Sequence, residues 1–176
     1  MAPQPNMTEP TMAIVTVTYL QMLSRDAIRS RPCPDPHLEI RETTVKQWQF
    51  NRFLYMLVGG DWGWVDKLVW DDAEWKAYAE ADTMRTFVLY YDGSPAGYFE
   101  LNSQIERQVE ISYFGLAPKF IGKGMGGYLL SCALLTAWET NPDRVWVHTC
   151  SKDHPAALVN YQARGLQIYK VEHIPL

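Results

Sequence analysis

Cysteine, clustered basic charge and long apolar runs are all scarce in this sequence, and each shortage excludes something. Three cysteines occur, Cys33, Cys132 and Cys150. Odd in number and widely spaced, they leave no Cys-x-x-Cys pair to grip zinc or cycle redox, so no metal is expected. Unpaired thiols fit a reducing compartment, and a cytoplasmic protein is the expectation. Lys and Arg number 16 against 20 Asp and Glu, and the nearest thing to a basic patch is Arg25, Arg29 and Arg31. A nucleic-acid partner, which demands a dense cationic surface, is therefore not expected. No apolar run approaches the ~20 residues of a membrane span. The first ten residues, MAPQPNMTEP, lack the basic start and apolar core of a secretion signal, and residues 1–12 are expected to be flexible.

What is present is enough apolar material for a core: 47% of the 176 residues are hydrophobic and 13% aromatic, which fits one domain over 1–176. Alternation of β-branched and polar residues predicts a strand from Val15 to Leu20, and the prolines at 32, 34 and 36 break the chain after it. A short strand over 37–42 and a helix over 45–56 follow. The glycines at 59, 60 and 63 are expected to forbid a regular helix, before Asp71 or Asp72 caps a second helix running to Glu80. Asp92-Gly93 between two apolar runs predicts a hairpin of strands 86–91 and 96–102. Further strands are predicted over 108–116, 144–150 and 166–171, with helices over 124–140 and from Asp153 to a left-handed stop at Gly165. The expected class is mixed α/β (α+β): a sheet antiparallel first, with a helical crossover later.

Between Leu116 and Gly127 stands the most informative segment, with Gly122, Gly124, Gly126 and Gly127 at the start of a helical run. Glycines let backbone N–H groups approach an oxyanion unobstructed, and a helix N-terminus adds the positive end of its dipole. A phosphate or pyrophosphate is the natural ligand. Gly122, Gly124 and Gly127 also satisfy Gly-x-Gly-x-x-Gly, the dinucleotide pattern of an oxidoreductase. Context argues against it: Pro118 to Ile121 intervene between strand and glycines, and Asp153 is too far on to hold a ribose. No Gly-Lys-Ser/Thr follows, so the ATP-loop pattern is absent as well.

The strand ending at Leu116, Pro118, and the run Ile121-Gly122-Lys123-Gly124-Met125-Gly126-Gly127 resemble motif A of the GNAT superfamily of acyl-CoA-dependent N-acyltransferases, Arg/Gln-x-x-Gly-x-Gly/Ala. Gly124 and Gly126 fall in place, whereas Ile121 stands where the family has a basic or amide residue. Ala157, Tyr161 and Gly165 match the spacing of the family's Asn-x-x-Ala-x-x-x-Tyr-x-x-x-Gly-Phe, with His154 and Leu166 replacing Asn and Phe. The likeness covers residues 86–171, and the chain is also similar to uncharacterised bacterial members.

The resemblance implies a mostly antiparallel twisted sheet flanked by helices, with a splayed strand pair holding acyl-CoA between 108–116 and 144–150. Acetyl-CoA would be the acyl donor, its diphosphate on the amides of residues 122–127, its pantetheine paired with backbone near Phe114 and Leu116, and His154 on the cofactor side. Tyr161 would give the departing thiolate its proton. Glu110, an even number of residues before Ser112, Phe114 and Leu116, is expected to share their strand face and to accept the amine's proton, with His148 as alternative base. Residues 45–82 would form the substrate side. There Tyr55, Trp62 and Trp64, with Asp61, Asp66, Asp71 and Asp72, suit a cationic amine, while Trp70 and Trp75 serve as helix anchors. The implied activity moves an acetyl or short acyl group to a primary amine of a small molecule or peptide. The alternative is a CoA-binding sensor in which Ile121 and His154 mark lost catalysis. Association into a homodimer is left open.

Overall fold

The computed structural model describes residues 14–175, so the expectation for residues 1–12 lies outside the described residues. Seven strands form one sheet in the order β2-β3-β4-β5-β6-β1-β7. They are β1 (Ile14–Met22), β2 (Leu38–Glu42), β3 (Met84–Tyr91), β4 (Ser94–Asn102), β5 (Gln108–Leu116), β6 (Arg144–Cys150) and β7 (Gln167–Pro175). The helices are α1 (Trp48–Gly59), α2 (Asp72–Ala79), α3 (Met125–Ala137) and α4 (Ala157–Ala163). β5 and β6 pair parallel through the α3 crossover, and the other ladders are antiparallel.

Helix α3 is apolar around most of its circumference because it is buried on the sheet, where Leu129, Leu130 and Leu134 are fully enclosed with Leu20, Phe99 and Val145. Each such side chain contributes about 1.5–3 kcal/mol by leaving water. On the opposite face α1 packs Leu54 and Val58 against Val88 and Tyr98. Helix α2 starts where the sequence places it: Asp71 accepts from the Glu74 amide at 2.9 Å and Glu74 accepts from the Asp71 amide at 2.9 Å. The Asp92-Gly93 turn has φ of 45° and 81°, the left-handed pair that a tight hairpin needs.

Several predicted boundaries change. Helix α1 begins at Trp48 and runs through Gly59, with a 3₁₀ turn over Gly60–Trp62, so the glycines do not break it where expected. Gly59 is glycine for close packing: a Cβ there would sit 2.2 Å from the Trp64 ring. The chain turns only at Gly63, where φ is 71°. Helix α4 opens at Ala157 rather than near Asp153, whose carboxylate instead ties down the end of β6. β7 runs on to Pro175, held along its length by β1. The helical run after the glycine loop ends where expected, α3 closing in a 3₁₀ turn over Trp138–Thr140 with Asn141 left-handed before Pro142. The cysteines are free, with Cys33 exposed.

Candidate active site

The ladder between β5 and β6 holds over Gln108↔Arg144, Val109↔Val145 and Glu110↔Trp146 and then stops. Beyond that point the two strands diverge. One cause is visible in β5: Glu100 faces Tyr113 while Leu101 faces Ile111, so Ser112 is the extra residue of a bulge, which bends a strand and increases its twist. A cleft of about 870 Å³ fills the divergence.

The bulge also shifts the phase of the strand, which corrects the expectation for Glu110. Val109 and Ile111 point to the α3 side before the bulge, and Phe114 and Leu116 do so after it. Glu110 therefore shares its face with Tyr113, on the α1 side, and not with Phe114 and Leu116. There its Oε1 lies 3.7 Å from Nδ1 of His148, the alternative base. His148 lines the cleft and Glu110 stands behind it.

Tyr161 lines the cleft from α4 with only 4% of its surface exposed, and its ring lies 5.8 Å from Phe114. Burial, and after it the charge of Asp153, pushes its phenol above the ordinary value, so it stays protonated. Asp153 itself is consumed structurally. One oxygen accepts from Thr149 Oγ1 at 2.6 Å and the Cys150 amide at 2.9 Å, and the other accepts from Trp64 Nε1 at 3.3 Å.

At the far end of the cleft lie Ile121, Gly122, Gly124, Gly126 and Gly127. Gly122 and Gly124 are left-handed, with φ of 79° and 80°, and a Cβ at either would meet nothing within 4 Å. The amides of Met125, Gly126 and Gly127 open α3 and lack intrahelical partners, which leaves them for an anion. The side chains of Lys123 and Met125, included in the expected site, do not line the cleft: Lys123 Nζ lies over Phe120 and Met125 is 4% exposed in the core.

Two arginines that sequence reasoning passed over stand beside this loop. A Cβ on Gly127 would meet Arg31 Cδ at 2.7 Å and an Arg164 guanidinium nitrogen at 2.8 Å, so this glycine makes room for them. The segment before β2 is strapped here: the Arg31 amide donates to Ser131 Oγ at 2.8 Å, Ser131 donates to the Gly127 carbonyl at 2.7 Å, and the Arg29 amide donates to the Arg164 carbonyl at 3.0 Å. Gly165, left-handed with φ of 106°, permits the approach, since a Cβ would sit 2.0 Å from the Ala27 carbonyl oxygen. Among the described residues neither Arg31 nor Arg164 forms an ion pair. Burial, and next the Arg31 charge, hold the Arg164 guanidinium below its ordinary value. The motif's basic residue is absent at Ile121, and these cations stand in its neighbourhood. Asn160, also missed, donates to the Gly126 carbonyl at 3.1 Å and joins α4 to the loop.

On the substrate side Trp62 and Trp64 line the cleft, and His154 meets Trp62 edge-on at 4.8 Å. Tyr55 does not reach it. That residue is 1% exposed beneath Trp64 and donates to Asp66 at 2.6 Å, so it is a core residue rather than a pocket wall. The aromatic and acidic cluster expected to receive a cation already contains one: Lys67 Nζ lies 3.7 Å from the Trp70 ring centroid and 4.5 Å from that of Tyr78.

The site is thus a wedge between diverging strands with a glycine loop and the start of α3 at one end. Residues 28–166 match the model of the Acetyltransferase (GNAT) family, and the chain belongs to that family. Solved structures share the fold. A GCN5-related N-acetyltransferase from Kribbella flavida aligns with a TM-score of 0.65 at 13% identity, over 93% of this chain and 59% of that one. An IAA acetyltransferase from Bacillus cereus gives 0.58 at 22% identity, over 76% of this chain and 79% of that one. An aminoglycoside acetyltransferase from an uncultured soil metagenomic sample gives 0.60 at 16%, over 74% and 88%. This chain thus spans about three fifths of the Kribbella protein and of a structure from Staphylococcus epidermidis, of which it covers 61%. No curated protein matches it. Among the described residues no helix is long and apolar enough to cross a membrane, and no group of three or more His, Cys, Asp or Glu could hold a metal.

Proposed function

We propose that the protein is an N-acyltransferase that moves an acetyl or short acyl group from acyl-CoA to a primary amine of a small molecule or peptide. The observation that carries this reading is the wedge itself. Ladder pairing ends at Glu110↔Trp146, Tyr161 lines the opening, and unpartnered amides and two arginines stand at its phosphate end. The residues present fit the donor. Amides of 125–127, with Arg31 and Arg164, would hold its phosphates. Backbone groups of Phe114 and Leu116 would pair with the pantetheine amides as an added strand does. Bound there, acyl-CoA supplies an activated carbonyl and a thiolate leaving group.

Each protein group then has a task. Glu110 and His148, on the α1 side, would take the proton from the incoming ammonium or its attacking nitrogen. Tyr161, protonated by virtue of its burial, would donate to the departing sulfur. Trp62 and Trp64 would flank the acceptor. The test joins calorimetry to a thiol assay: CoA should bind the pure protein, and acetyl-CoA with a panel of amines should release free thiol above the amine-free rate. Binding without thiol across a broad panel would favour the sensor, and no uptake of CoA or acetyl-CoA would overturn the reading.

A further inference from the structure

Strands β1 and β7 lie outside the residues that match the family, yet Val15, Val17, Tyr19 and Ile174 line the cleft. Directly opposed residues of antiparallel strands share a face, so the register stacks three rows: Tyr19 with His148, Val17 with Cys150, and Val15 with Ile174. Successive rows are two residues apart, or about 7 Å at ~3.4 Å per residue. A trough about 14 Å long therefore runs outward from His148 along Cys150, Val17, Val15 and Ile174, with Lys170 and Glu172 of β7 beside its first two rows. Trp62 also lines this cleft.

The charges near this trough are mostly committed. Asp66 accepts from Tyr55 at 2.6 Å and from Tyr113 at 3.0 Å, with the Lys67 ammonium 3.9 Å away. Glu172 accepts from Tyr19 at 2.8 Å and pairs with Lys170 at 2.6 Å. Asp153 is held by Thr149, Cys150 and Trp64. That leaves the Glu110–His148 pair, at the inner end. A polyamine or amino sugar would bring several ammonium groups to a wall whose lining carboxylates, Asp66 and Asp153, already hold donors from the protein, and each further charge would lose water without gaining a free partner.

We infer that the acceptor is a monoamine with an apolar body, alkyl or aryl, whose nitrogen meets His148, backed by Glu110, while the body lies along Val17, Val15 and Ile174. This rests on the acyltransferase reading and narrows its acceptor. Burial of each added methylene should tighten binding about fourfold until the trough is full.

The experiment measures binding, by calorimetry, of straight-chain amines from propylamine to octylamine, of phenylethylamine and of spermidine, to the protein saturated with CoA. Affinity should climb about fourfold per methylene, phenylethylamine should exceed propylamine, and spermidine should be weakest. Ile174 is 46% exposed on an edge strand, so Ile174→Asp should fold. That variant should flatten the outer part of the series and keep its CoA affinity within twofold. A series flat in the wild type, or spermidine binding tightest, would overturn the inference while leaving CoA binding and the acyltransferase reading in place. Failure of the wild type to take up CoA at all would remove both.

Discussion

Tyr161 combines two properties that a proton donor to sulfur requires: access to the cleft and a phenol that does not ionise. Its ordinary value is 10.0, and burial followed by the Asp153 charge raises it. Tyr161→Phe keeps the ring on Phe114 and removes the proton. Turnover should fall on the order of 10²-fold with acetyl-CoA affinity nearly unchanged, as steady-state kinetics and calorimetry would measure. The sign of the shift also fixes a pH outcome: because ionisation is displaced above 10.0, the wild-type rate should show no alkaline limb from this group below that value. Unchanged turnover in the variant would remove Tyr161 from the mechanism. Its place in the cleft was legible in the sequence because Ala157, Tyr161 and Gly165 keep an i, i+4, i+8 spacing. Arg31 was not, since its place depends on Ser131, which lies 100 residues further along the chain. The glycines at 122 and 124 could be read from their clustering, whereas Gly127 serves the arginines, a purpose that only packing discloses.

Among the elements, helices and strands followed periodicity well, and the misreadings have specific causes. A bulge is a property of pairing rather than of one strand, so nothing in residues 108–116 announced Ser112, and alternation counted through it placed Glu110 on the wrong face. Glycine in α1 looked like a breaker because its packing partner, Trp64, is invisible to local propensity. The strap formed by the chain before β2 is likewise a tertiary product. It depends on Gly165, whose φ of 106° and 2.0 Å clearance to the Ala27 carbonyl exclude a side chain. Gly165→Ala should therefore destabilise the protein by about 2–4 kcal/mol in denaturant melts, through left-handed strain and overpacking. Because the same displacement carries Arg31 away from Gly127, folded variant at low temperature should also bind acetyl-CoA at least tenfold more weakly. A variant as stable and as tight-binding as the wild type would show that the strap positions nothing.

At the scale of the whole molecule the sheet is two blocks, β2-β3-β4-β5 and β6-β1-β7, whose strands are joined by three residue pairs at the base of the wedge. Helix α3 crosses between the blocks, and α4 meets its first turn through Asn160 and Gly126. A ligand seated in the wedge touches both blocks at once, so its binding energy must appear as resistance to their separation. At a hundred times its dissociation constant CoA should add about 2.7 kcal/mol of stability. For a chain of this length that is ~5–10 °C in melting temperature. The shift should shrink with added salt, because on the proposed reading much of the contact would be between phosphate and Arg31, Arg164 and the loop amides. Acetyl-pantetheine, which fills the wedge but lacks the phosphates, should need a far higher concentration for the same shift. Hydrogen exchange offers the spatial check: amides of residues 111–116 and 147–150, which lack ladder partners across the wedge, should gain protection with CoA, while those of β2 and β3 should change less. Equal protection of all strands, or a shift insensitive to salt, would place the ligand somewhere other than between the diverging strands.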